Sequence, residues 1–200
     1  MFALMLFAVL MQPAAQGTPA PSPDAPCVAI VLPSVEGVDD STSVATSVRT
    51  LLQSYLTGPS LRSIALDSKL PSQANQEAIE KQCTKVLTVS LARKAGGNGK
   101  SKVATAAQAA GAAAGYIPAG GLGEIAVAGA AASAQAIGSV ASSTRAKDEM
   151  RIVYRVTTVD GAEIMAPRTD SRKAQSNGED IVTPLVERAA NAVAFVVAKK

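Results

Sequence analysis

Between residues 103 and 144 the chain carries one charged side chain, Glu124, in a background of alanine broken by Gly111, Gly115, Gly120, Gly121, Gly123, Gly129 and Gly138. Alanine has the highest helix propensity of any residue, so helix is the expected conformation. Pro118 and the glycines after it divide the segment into two arms, 103–116 and 122–143, which gives an inserted Ala/Gly-rich helical hairpin. Gly111 and Gly115 have the GxxxG spacing that lets two helix backbones approach closely. Three readings follow. The hairpin lies against a membrane or a second copy of itself, or it is a helix pair packed on its own domain, or the stretch is low-complexity disorder, which alanine's helix propensity disfavours. Glu124, beside Gly123, suits the start of the second arm, where a carboxylate meets the positive end of the helix dipole. Gly111, Gly115 and Glu124 are the candidate contact residues.

The segments on either side have ordinary globular patterning. Residues 27–32 form a short apolar run ending at Pro33, as expected of a strand buried on both faces. Val44, Val48, Leu51, Leu52, Tyr55 and Leu56 then recur at helical spacing after a cap at Ser41 or Thr42, and Gly58-Pro59 stops that helix. A strand over 61–67, a short helix over 72–82 with Ala74, Ala78 and Ile79 turned inward, and an alternating strand over 83–94 complete a β-α-β-α-β run.

After the insertion, Ile152, Tyr154 and Val156 alternate with Arg151, Val153 and Arg155. Asp160-Gly161 is a two-residue turn signal, and 162–169 returns as the partner strand. A last helix, capped at Ser176 or Asn177, presents Ile181, Leu185, Val186, Ala189, Val193, Phe195, Val196 and Val197 on a broad apolar face. The expected fold is α/β: a two-layer or three-layer sandwich on a mixed five-stranded sheet, with a β-hairpin and a C-terminal helix after the insertion. Hydrophobic residues make up 48% of the chain but aromatics only 3%, so the core has to be built from Val, Ile and Leu.

Residues 1–15 read as a signal peptide, with an apolar run too short to span a bilayer and small residues at Ala14 and Ala15. Residues 16–26, rich in Pro and Ala, read as a linker, and 27–200 as the folded domain with the insertion at 103–144. The expected location is therefore exported, in the periplasm or at the outer membrane. Cys27 and Cys83 each stand at the start of a strand. If those strands are parallel neighbours a disulfide is geometrically possible; the alternative is two buried thiols.

The chain contains no histidine. That removes Ser-His-Asp and Cys-His catalysis and His-based metal sites, and no catalytic residue, metal ligand or cofactor is expected. A net charge of +3 without interleaved aromatics gives no reason to expect nucleic acid. Gly99-Lys100-Ser101 has the end of a phosphate loop, but Lys94 stands where its first glycine belongs. Asp39-Asp40 is explained by the start of a helix. A small hydrolase or nucleotide-binding enzyme is therefore the disfavoured alternative.

The run Val28-Ala29-Ile30-Val31-Leu32-Pro33, the step from Glu77-Ala78-Ile79 into Val86-Leu87-Thr88-Val89, and Tyr154-Arg155-Val156 with Asp160-Gly161 resemble the domain of the curli secretion-channel (CsgG-like) family. They are also similar to the amino-terminal domain of TolB and to penicillin-binding-protein activator lipoproteins. The resemblance implies an envelope domain that binds other proteins or assembles into an oligomer. Two departures stand against a pore of that kind: no lipidation sequence precedes Cys27, and the insertion lacks the alternation of a membrane β-hairpin. The expected function is thus a non-enzymatic envelope interaction protein whose partners are an envelope protein or further copies, with the membrane as a second possible contact. An oligomeric secretion or assembly factor is the alternative.

Overall fold

A computed structural model describes residues 25–68, 70–96 and 124–198, with the backbone alone for 124–133. Ten elements follow one another: β1 (Cys27–Ile30), β2 (Ser34–Glu36), α1 (Ser41–Leu56), β3 (Arg62–Ala65), α2 (Pro71–Glu80), β4 (Lys85–Lys94), α3 (Glu124–Ser143), β5 (Glu149–Thr158), β6 (Glu163–Lys173) and α4 (Thr183–Ala198). The sheet runs β3-β1-β4-β5-β6, and the short β2 also pairs with β4. β1 is parallel to β3 and β4, whereas β4-β5 and β5-β6 are antiparallel. The protein is an α/β sandwich on a mixed sheet. Beyond the five expected strands there is β2: after the break at Pro33 the chain resumes alongside the upper half of β4, pairing Val35 with Leu91.

The layers are unequal on the two faces. Val28, Ile30, Leu87, Val89, Leu91, Met150, Ile152, Tyr154 and Val156 share one core with α1, α3 and α4. On the opposite face α2 lays Ala74 and Ala78 over Cys27, Ala29, Leu66, Cys83 and Val86. Among the described residues, one end of the sheet is therefore covered on both sides and the β5-β6 end on one. Val44, Val48, Leu52 and Leu56 of α1 are all buried at four-residue spacing. Fully burying such a side chain contributes about 1.5–3 kcal/mol.

Several local expectations are corrected. The cap of α1 is Asp40, in a left-handed conformation with its carboxylate accepting from the Ser43 N–H. A short acceptor before the first turn does this as well as a hydroxyl within it. Tyr55, Ile79 and Phe195 are exposed, because each lies at the margin of a face already filled by smaller neighbours. The Asp160-Gly161 turn is a three-residue loop: the Thr158 N–H donates to the Ala162 carbonyl and Gly161 takes φ +88°. This is the loop length in which an αL glycine follows a tight turn. β4 begins at Lys85, two residues after Cys83, and β6 continues to Lys173. α4 starts at Thr183, its first N–H groups held by Asp180 Oδ1, which accepts from Val182 and Thr183 at 3.0 Å each.

Both outer strands are blunted. On β3 the Ala65 carbonyl accepts from Lys81 Nζ, and Ser63 Oγ is tied to the Gln53 carbonyl. On β6 the register slips opposite Arg155, where Pro167 sits without an N–H to offer. Charged side chains, a bulge and a proline are the usual defences of an exposed strand edge.

The chain after β3 is held by Glu77 on α2. Its carboxylate accepts from the Asp67 and Ser68 N–H groups and the Ser68 hydroxyl, and pairs with Lys81 at 2.7 Å. The Lys81 ammonium first, then Ser68 and the Asp67 N–H, lower its pKa from 4.5 to about 2. A depressed carboxylate contributes stability that is complete above its unfolded value and lost as the pH falls through the folded one. Denaturant melts between pH 4.5 and 2 should therefore show a shallower acid loss for Glu77→Gln than for the wild type. Parallel acid profiles would exclude this contribution.

Candidate functional site

The insertion leaves the sheet from the end of β4 and returns to it at the start of β5, so its root needs to bring two distant stretches of chain together. Asp148, whose side chain is 3% exposed, does so. Its Oδ1 accepts from the Gly96 N–H at 2.9 Å on the outgoing side, and its Oδ2 from the Arg145 N–H at 2.9 Å on the returning side. Arg93, on the helical face of β4, donates Nε to the same carboxylate at 3.2 Å and closes the ion pair with its terminal nitrogen. The other arm of the guanidinium reaches the Ser143 hydroxyl, and the Ser143 carbonyl accepts from Nη2. One arginine thus grips both the carboxylate and the last turn of α3.

Burial alone pushes Asp148 upward. The Arg145 and Gly96 N–H groups and the Arg93 charge outweigh it and hold the carboxyl below the ordinary carboxylate value. The approach is so close that a Cβ on Gly96 would collide with the Lys147 carbonyl. A third stretch joins from behind β6. Asn177 Oδ1 accepts from the Ala146 N–H, the Gly178 N–H donates to the Thr144 carbonyl, and the Ala174 N–H to the Asp148 carbonyl. Asn177 was expected to cap the last helix and instead closes this root.

From the root, α3 lies along α1, with Ile137 and Val140 joining the main core. The described part of this helix begins at Glu124, and Leu122 and Gly123 of the expected second arm lie outside the described residues. Gly111 and Gly115, with the rest of the first arm, lie outside the described residues, as does the side chain of Glu124. Among the described residues no helix is long and apolar enough to cross a membrane. The structure joins Cys27 and Cys83 in a disulfide with Cα atoms 4.8 Å apart, on the α2 face and far along the sheet from the root. Among the described residues no group of three or more Cys, Asp and Glu is placed to hold a metal ion.

The sequence reasoning did not single out Arg93, Asp148 or Gly96. The signal was present in Arg93 and Asp148 bracketing the insertion, but nothing in their spacing told them from solvent-facing charges.

No protein-family model matches the chain, and no curated protein does. Two solved structures of the PelC dodecamer from Paraburkholderia phytofirmans align with it over 92% of this chain and 95% of theirs, each with a TM-score of 0.43. A substituted variant is 13% identical to this chain and a second crystal form 12%. Neither function nor assembly is drawn from a likeness of that size.

Proposed function

We propose that this is an exported, non-enzymatic interaction protein of the cell envelope, in which a compact α/β frame presents the Ala/Gly-rich hairpin to further copies of the chain or to a membrane surface. The observation that carries the reading is the root. A buried ion pair and three loops are committed to fixing both ends of a segment that is nearly free of charge. A tether that only linked two strands would not need such a root; a surface held for contact does. Self-contact is the favoured form, since α3 is rich in alanine and other small residues. Close packing of small residues then supplies the attraction.

The test is light scattering and crosslinking of the purified mature protein beside a Gly111→Leu/Gly115→Leu variant, with circular dichroism to check folding. The wild type should be oligomeric, and the variant should dissociate at least tenfold more readily while keeping its spectrum. Carbonate extraction of membranes provides the second arm. A wild type that is monomeric and also fully released by carbonate would end the proposal.

A further inference from the structure

On the face opposite α3, the β4-β5-β6 part of the sheet has no helix over it among the described residues, α2 being confined to the β1-β3-β4 end. The residues that point there follow from the register. Thr88, Ser90, Ala92 and Lys94 of β4 stand beside Arg155, Val153, Arg151 and Glu149 of β5, and these in turn beside Thr169, Ser171 and Lys173 of β6. Lys94, Arg151, Arg155 and Lys173 are exposed, and among the described residues none makes a side-chain hydrogen bond or ion pair. Three carboxylates share the face, Glu149 at one end, Glu163 at the other and Glu36 of β2 beside Ala92, so the four cations leave it weakly positive. Arg151 and Arg155 are four residues apart on one strand, so their guanidiniums are spaced about 13 Å along it. Between them lie hydroxyls and one valine, with no aromatic ring for stacking a base or a sugar.

We propose that this open sheet face is the docking surface for an acidic protein partner, its carboxylates received by Arg151 and Arg155 with Lys94 and Lys173 at the rim. Planar guanidiniums take carboxylates in paired hydrogen bonds, which a compact ammonium cannot match. The chain offers no acidic segment outside the described residues to receive these cations. The stretches outside the described residues contain Asp24 as their sole acid, against Lys69, Lys100, Lys102, Lys199 and Lys200. A second copy docked face to face would oppose like charges. α3 and the hairpin root lie on the helical side of the sheet, opposite this face. The inference rests on the reading of the protein as an interaction module, and it is measured separately from the hairpin.

The experiment uses the mature, full-length chain and poly-glutamate as the acidic probe, with vesicles of phosphatidylglycerol in phosphatidylcholine as the lipid probe. Poly-glutamate should bind, more weakly as salt rises, and Arg151→Glu/Arg155→Glu should lower its affinity at least tenfold with an unchanged circular dichroism spectrum. Lys199→Glu/Lys200→Glu makes the same change in net charge after α4 and should bind as the wild type does. Equal loss in both variants would reduce the effect to overall charge and overturn the proposal. So would absence of poly-glutamate binding, or binding to the vesicles alone. A change of oligomeric state in Arg151→Glu/Arg155→Glu would assign the face to self-assembly and equally overturn it. Loss of assembly in the Gly111/Gly115 variant with poly-glutamate binding intact would separate the two readings.

Discussion

Asp148→Ala should lower the stability of the protein by about 3–5 kcal/mol, the cost of leaving one partner of a buried ion pair uncompensated. At this chain length each kcal/mol moves the midpoint by about 2–4 °C, so thermal unfolding should begin roughly 10 °C earlier. The loss is larger than for a surface pair because the same buried carboxylate also accepts from the Gly96 and Arg145 N–H groups, so three contacts go with it. Arg93→Ala should cost less, since the backbone donors would still hold the carboxylate. The double variant should show a coupling of about 1–3 kcal/mol between the two. Acid should reproduce part of the effect. The depressed carboxyl contributes fully above its unfolded value of 3.8 and progressively less below it. A melting temperature unchanged by Asp148→Ala would show that the two ends of the insertion are held by other means.

The second large effect belongs to the cysteines. A bridge between Cys27 and Cys83 closes a loop with a sequence separation of 56 residues. In the chain-entropy account a loop of that length contributes about 4 kcal/mol by restricting the unfolded ensemble. Cys27→Ser/Cys83→Ser, or the wild type in reductant, should therefore melt roughly 8–16 °C lower. Both sulfurs sit with Ala29, Ala74, Ala78 and Val86 beneath α2, so the α2 face should become exchange-labile before the α1-α4 core does. The check is calorimetry with and without reductant, together with thiol titration under denaturing conditions. Free thiols in material recovered from an oxidising compartment would show the bridge is not formed.

Much of the fold was legible because hydrophobic period carries it. The alternation of Ile152, Tyr154 and Val156 and the four-residue recurrence of Val44, Val48, Leu52 and Leu56 are statements about faces, and the faces are where the core lies. Termini were less legible. Asp40 and Asp180 cap helices from outside the expected positions, since a cap depends on backbone geometry that several adjacent Ser, Thr, Asp and Asn residues could equally provide. The strand β2 was missed because three residues after a proline carry too little pattern to register. The insertion root was illegible for another reason: Arg93 and Asp148 are far apart in sequence, and only the antiparallel pairing of β4 with β5 brings them together. The open basic face was half visible in Arg151 and Arg155. That no described helix covers it depends on where α2 stops, which no local pattern encodes.

The guarded outer strands carry a consequence for how copies of this chain can meet. A proline in a slipped register on one side, and a lysine capping a backbone carbonyl on the other, deny neighbours the continuous main-chain ladder that turns crowding into fibres. Any contact between copies would then work through side chains and helix surfaces. Such contacts can be undone by competition or dilution, so a population concentrated in a narrow compartment would remain free to disperse.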